Sequence, residues 1–345
     1  MIRVSPFLLL FLIVFQLAPA GAQPQPVASV MFYNVENLFD AEDDPETLDN
    51  EFLPEGDRRW TNSRLYQKLV NISKVILNTG SWEPPALIGL CEVENRLVLE
   101  KLLMVTPLKT FGYKIIHKES PDERGIDVAL LYRESFFDPI EYRCFLPVLG
   151  ENTVVRTREI LYVSGILAGL DTVHLFVNHW PSRYGGLMET RSMRNRAAAR
   201  LKAEIEQLQL QFRAPAIIAM GDFNDQPSDQ SLGKILQAES PFSAENPSLV
   251  NLSFPWENSG KGTLKMQSQW QVFDQMIVSA GLLDSTRNLF CLPGDARILD
   301  LPFLLEKDER FYGEKPFRSY VGFRYQGGFS DHLPVILTLR KRQHP

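Results

Sequence analysis

Short apolar runs, each closed by polar residues, restrict most strongly how this chain can fold. They recur from "VASVMFYNV" through "ALIGLCEV", "DVALLYR", "TVHLFVNHW", "PAIIAMGDF" and "QVFDQMIVS" to "LPVILTLRK". Runs this short, rich in β-branched and aromatic residues and bounded by turn formers, read as strands. Helical spacing is rarer. Leu65, Leu69, Ile72 and Ile76 share one face, as do Leu201, Ile205, Leu208 and Phe212, and a shorter helix is expected over 96–104. Segments 160–170 and 173–179 adjoin as a hairpin, which does not fit a purely parallel sheet with a helix at every crossover. A mixed two-sheet core with helices outside fits better. Residues 281–329, rich in Pro, Gly and aromatics, read as irregular loops before the last strand.

The first residues stand apart. "MIRVSPFLLLFLIVFQLAPAGAQPQP" has a basic start at Arg3, an apolar stretch from Phe7 to Leu17 and small residues at Ala18, Ala20 and Ala22. This is the pattern of a secretory signal peptide over residues 1–22, leaving 23–345 as one catalytic-sized domain. The apolar stretch is short for a membrane span, so export to a periplasm or the medium without a stable membrane anchor is expected. With 345 residues and 44% hydrophobic content, core material is ample, and no repeat or linker divides the chain. Cys91, Cys144 and Cys291 are too few and too widely spaced for a disulfide framework, although Cys144 and Cys291 could pair. A net charge of −6 argues against loose electrostatic adhesion to nucleic acid or anionic membrane. It is compatible with a site that holds divalent cations on carboxylates.

The chemistry gathers at the ends of the runs. "FYNVENLFD" presents Asn34, Glu36 and Asn37; "GLCEVEN" presents Glu92 and Glu94; "VNHWPSR" presents Asn178, His179 and Arg183. "MGDFND" leads a buried strand into Asp222 and Asn224, which alternation places on one face with Phe223 on the other. Asp274 lies in "VFDQMIVS", and Ser330, Asp331 and His332 precede the last strand. Singly, each reads as a turn residue, a cap or a satisfied buried group. Together they place Asn, Glu, His and Asp side chains where sheet proteins build their sites.

These motifs, in this order, resemble the endonuclease/exonuclease/phosphatase superfamily. The matching stretches are N-V-E-N-L-F, C-E-V-E-N, G-I-D-V-A-L-L-Y, N-H-W-P-S-R, G-D-F-N-D, D-Q-M-I-V-S and S-D-H-L-P-V, from Asn34 to Val335. The resemblance implies a four-layer α/β sandwich, two mixed β-sheets face to face with helices outside, in a secreted bacterial branch. It implies hydrolysis of a phosphate ester, most simply a phosphodiester of DNA or RNA. Sphingomyelinase-like action on phospholipid or phosphatase action on inositol polyphosphates is the alternative, and an inactive binding module of the same fold a remote one. One or two Mg²⁺ or Mn²⁺ ions are implied, held by Glu92 with Asn34 and Asp331 completing or supporting the shell. His332 would be base or proton relay, held by Asp274. His179 would stabilise the leaving oxygen, Asp222 would orient water, and Asn224 would donate to the phosphorane. Whether Asp222 or His332 takes the water's proton stays open.

Outside the shared roles, Arg183 is a candidate for a phosphate oxygen or a solvated loop residue, and Asn178 for substrate binding. Asp127 and Asn37 are expected behind the reacting groups. The aromatic cluster of Phe311, Tyr312, Phe317, Tyr320, Phe323 and Tyr325, with Lys315, Arg318 and Arg324, reads as packing or as a base-stacking lip. A monomer is the default.

Overall fold

Ala216, Ile218 and Met220 face one side of their strand and Ile217 and Ala219 the other, and both sides are buried. That requirement, repeated in neighbouring strands, produces layers. The structure is a computed structural model describing residues 24–81, 83–146, 148–149, 153–154, 156–243 and 247–342. The expected signal peptide lies outside the described residues.

Ten strands carry the architecture: β1 (Gln25–Leu38), β2 (Leu87–Val93), β3 (Tyr113–His117), β4 (Asp127–Arg133), β5 (Phe137–Phe145), β6 (Ile160–Leu167), β7 (Asp171–His179), β8 (Ala216–Asp222), β9 (Asp274–Ser279) and β10 (Val335–Lys341). The first sheet runs β10-β1-β2-β4-β3, extended beyond β10 by short strands Leu289–Phe290 and Ala296–Ile298. The second runs β9-β8-β7-β6-β5, extended beyond β9 by Leu249–Asn251 and Ala238–Glu239. Both are mixed. β1 pairs parallel with β2 and antiparallel with β10, while β8 pairs parallel with β7 and antiparallel with β9.

Val30 and Phe32 of the first sheet and Val163, Leu175, Ile218 and Met276 of the second belong to one apolar core between the sheets. Removing one such large side chain costs about 2–5 kcal/mol. α1 (Asn62–Leu77) starts at Thr61, whose hydroxyl accepts the Arg64 N–H, and buries Leu65, Leu69, Ile72 and Ile76. α2 (Arg96–Val105) is capped by Asn95, which accepts the Val98 N–H at 3.0 Å. Both join the core of the first sheet. α3 (Leu187–Gln211) buries Ala197, Ala198, Leu201, Ile205 and Leu208 against the outer face of the second sheet. It begins well before its apolar spacing does, so Arg191 and Arg194 lie within it. The result is the expected helix–sheet–sheet–helix sandwich.

Residues 281–329 are less irregular than their composition suggests: Leu305–Lys307 pairs with Glu314–Pro316, and Tyr320–Val321 with Arg324–Tyr325. All three cysteines are free, so the allowed Cys144–Cys291 bond is not formed; Cys144 lies on β5 and Cys291 follows the strand that flanks β10. Among the described residues, no helix is long and apolar enough to cross a membrane.

Candidate active site

Register alone assembles half of the site. Asp222, last residue of β8, pairs with His179 on β7 and with Asp274 on β9. Cross-strand partners share a face, so three reactive side chains stand in a row at the lip of the second sheet. One residue earlier the row points the other way. Asn178 is opposite Gly221, where a Cβ would come within 2.5 Å of both the Asn178 Cβ and its carbonyl oxygen. The glycine of "MGDFN" is thus a packing requirement of the site.

The first sheet contributes by breaking its register. The β1–β2 pairing is regular to Asn34↔Cys91 and then shifts, and β2–β4 shifts between Cys91 and Val93. Glu36, Asn37 and Glu92 adopt φ of 50°, 56° and 60°, the left-handed region that L residues enter at a cost of about 1–3 kcal/mol. Asn34 organises the bulge. Its Oδ1 accepts the Glu36 N–H at 3.0 Å, leaving Nδ2 to reach Glu92 Oε1 at 3.2 Å and Asp222 Oδ2 at 3.1 Å. The Asn37 N–H holds Glu92 Oε2 at 2.9 Å.

Asp222 Oδ2 is the meeting point. His179 Nε2 lies 3.8 Å from it and 4.0 Å from Glu92 Oε1, and His332 Nε2 lies 3.8 Å from it on the other side. His332 Nδ1 bonds Asp274 Oδ2 at 2.6 Å, which fixes the ring and leaves Nε2 facing Asp222. The Ser330 hydroxyl ties the segment down, donating to Asn34 O at 2.7 Å and accepting the His332 N–H at 3.0 Å. Asp274 Oδ1 and His179 Nδ1 are buried without partners.

The charge states follow from these neighbours. Burial pushes Asp222 up to about 7, against the pull of His332. Burial disfavours a charged His332, but Asp274 and Asp222 outweigh it and hold the imidazole's pKa well above its usual value. Burial, with Arg158 and Arg124 nearby, pushes His179 well below its usual value and keeps it neutral.

Carboxylate oxygens suit a hard divalent cation, and Glu92 Oε1 faces the gap 4.0 Å from His179 Nε2, with Asn34 Nδ2 between it and Asp222 Oδ2. Asp222, Asp274 and His332 also cluster closely enough to hold an ion, although the short His332–Asp274 bond makes that pair a dyad. Glu92 would hold the ion, and Asp222 would fall from about 7 towards its charged form beside it.

Several expected roles change. Asn34 faces the gap with its amide nitrogen, because Glu36 occupies its oxygen; it steadies Glu92 and Asp222 and is not a ligand in this arrangement. Asp331 Oδ2 is taken by Arg318 Nη2 at 2.9 Å. Asn178 does not face substrate: its carboxamide donates to Phe176 O and Met220 O and accepts from Trp180 Nε1, all on the helix side. Arg183 is neither solvated nor free for phosphate, since it donates to Asn224 O, Asp225 and Asp229 at 2.5–2.9 Å and stacks on Phe273. Arg194 joins it on Asp225, so two arginines lock the loop after β8. Asp127 orients His117, at 3.0 Å, and accepts the Ser120 N–H; it touches no catalytic side chain. Asn37 does stand behind Glu92. Asn224 breaks the expected alternation, with φ 51° and its N–H on Asp222 Oδ1, so the turn reading holds there too. Its Nδ2 donates to Trp180 O at 3.0 Å, leaving one amide hydrogen uncommitted.

Sequence reasoning missed Arg124 and Arg158. Arg124 Nη2 reaches Asn37 Oδ1 at 2.6 Å, and Arg158 donates to Trp180 O and Asp122 with its Nε buried and unpartnered. Both lie in loops where nothing in the local pattern separates a site arginine from a solvated one.

A strand-end site between two mixed sheets, built on carboxylates and a His–Asp pair, defines a class of phosphate-ester hydrolase. The chain belongs to the Endonuclease/Exonuclease/phosphatase family, whose sequence profile matches residues 29–341. Members hydrolyse phosphate esters with a divalent metal. Solved structures share the fold at low identity. An endonuclease/exonuclease/phosphatase family protein from Bacteroides thetaiotaomicron is 16% identical, with 93% of this chain and 100% of that one covered and a TM-score of 0.55. A mannosyl-6-phosphatase of the same organism is 15% identical, with 91% and 99% covered and a TM-score of 0.54. TDP2 of D. rerio complexed with single strand DNA product is 14% identical, with 90% and 98% covered and a TM-score of 0.52. No curated protein matches the chain in sequence.

Proposed function

We propose that the protein is an exported, divalent-metal-dependent phosphodiesterase that cleaves DNA or RNA by in-line attack of water. The observation that carries the hydrolytic reading is the convergence of His179, His332 and Asn34 on one carboxylate oxygen, Asp222 Oδ2. There Asp222, its pKa raised to about 7, orients the attacking water and takes its proton, and His332, charged and held through Nδ1 by Asp274, faces that carboxylate through Nε2. His179, neutral and with Nε2 towards the gap, stands by the leaving oxygen. The Asn224 amide hydrogen left free is the donor for a phosphoryl oxygen. A divalent ion at Glu92 would neutralise developing charge on the phosphoryl group.

Nucleic acid as substrate is supported by arginines around the mouth, Arg124 and Arg318, and by Phe323, 58% exposed, lying against Arg58 beside Tyr320. Such aromatic and cationic surfaces hold single strands. One feature favours phospholipid instead: Tyr184, 92% exposed in the loop after Arg183, and Met188, 64% exposed on the first turn of α3. The deciding experiment is hydrolysis by residues 23–345 with Mg²⁺ or Mn²⁺ against EDTA, on plasmid DNA, RNA, sphingomyelin vesicles and inositol polyphosphates. Divalent-dependent nicking of the plasmid is expected. Turnover of lipid or monoester alone would overturn the nuclease reading and keep the hydrolytic site.

A further inference from the structure

Arg318 is held by two carboxylates that flank site residues. Its Nε donates to Glu36 Oε1 at 3.0 Å, and its Nη2 lies 2.9 Å from Asp331 Oδ2 and 3.0 Å from Glu36 Oε1. Nη1 has no hydrogen-bond partner among the described residues, and the side chain remains 41% exposed. The backbone beneath is rigid. Ser319 N–H donates to Glu36 Oε2 at 2.7 Å, and the Ser319 hydroxyl accepts from buried Lys68 at 2.5 Å. Phe317 is pinned through both its N–H, to Leu304 O, and its carbonyl, which accepts from Phe329. Asn71 holds the carbonyls of Gly327 and Gly328.

Its position is set by the two residues it grips. Glu36 is two residues beyond Asn34 and Asp331 precedes His332, and the guanidinium is near enough to Glu92 to feel its charge. A planar fork with two nitrogens fixed and the third uncommitted is suited to a phosphoryl oxygen.

We propose that Arg318 is a substrate-binding residue whose Nη1 anchors a non-bridging phosphoryl oxygen, with Glu36 and Asp331 serving to aim it. This rests on the reading of the site as one that takes a phosphoryl group, whichever ester carries it. Because the group recognised is the phosphoryl itself, diesters and monoesters should both depend on it.

The test is calorimetric binding of inorganic phosphate to the full mature chain with Mg²⁺ present, for wild type, Arg318→Lys and Arg318→Ala. Arg318→Ala removes the counter-ion of two carboxylates and can destabilise the fold; Arg318→Lys keeps the charge and loses the fork. We expect phosphate affinity to fall on the order of 10-fold or more in Arg318→Lys, with its melting temperature close to wild type. Millimolar guanidinium should partly restore turnover of bis-p-nitrophenyl phosphate to folded Arg318→Ala. Unchanged phosphate affinity in folded Arg318→Lys, or no phosphate binding by wild type, overturns the proposal. Binding that depends on Arg318 in a protein that leaves nucleic acid uncut would keep the anchor and remove the nuclease reading. Plasmid nicking with phosphate affinity indifferent to Arg318 would do the reverse.

Discussion

The two sheets reach the same site by opposite means. At the lip of the second sheet, His179, Asp222 and Asp274 are cross-strand neighbours in unbroken register, and their side chains point where alternation sends them. At the lip of the first, pairing fails after Asn34 and Cys91, and three left-handed residues turn Glu92 and the Asn37 N–H towards the gap. Regular register packs groups close and dry, which suits the paired acid and base. Bulges re-aim a side chain outward, which suits a carboxylate that must meet a cation and a substrate. Glu92 keeps 15% of its side chain exposed, against 3% for Asp222.

The largest effects should separate the acid–base groups around Asp222 from the bulged lip. His332→Ala and Asp222→Asn are expected to lower turnover about 10²–10⁴-fold at saturating metal, with the fold intact by circular dichroism. Glu92→Gln should instead lose activity in a way that added Mg²⁺ or Mn²⁺ partly restores. A His332→Ala protein with wild-type rates would sink the division of labour. A Glu92→Gln protein with an unchanged metal requirement would show that the bulged lip does not hold the ion.

A smaller effect tests the rule that alternation decides. Asn178 is adjacent to His179 but faces α3, so Asn178→Ala should cost stability, about 1–3 kcal/mol for the buried polar groups it orphans. Its metal dependence should match wild type. Denaturant titration alongside a metal titration checks both, and a shifted metal midpoint at full stability would put Asn178 back in the site.

The smallest effect concerns what supports the bulged lip. Burial pushes Lys68 down to about 8 from 10.5, against the upward pull of Glu36 and Asp331. Its folded pKa is below its unfolded one, so its contribution is fully present above 10.5 and is lost as pH falls through about 8. Lys68→Met should therefore flatten the melting-temperature profile across that window. A difference between variant and wild type that is constant with pH would contradict the assignment.

Much of this was legible beforehand. Short apolar runs with polar ends require strands packed on both faces, because an apolar strand flanked by turns has no other way to bury itself; the two-sheet sandwich follows. That these strand ends bear His179, Asp222 and Asp274 was legible; the register that sets them in a row, and that turns Asn178, expected to bind substrate, one residue out of phase, came from the pairing. What the sequence could not decide is set by contacts distant in the chain. Arg183 and Arg318 look alike as loop arginines. One is consumed by Asp225 and Asp229, while the other is held by Glu36 from the far end of the chain with one edge left over. Asn34 reads as a ligand until the Glu36 N–H occupies its oxygen. Residue type and period are local properties, so the sequence determined the layers and which strand ends bear chemistry. Which atom of each side chain is free depends on what packs against it, and only the tertiary structure decided that.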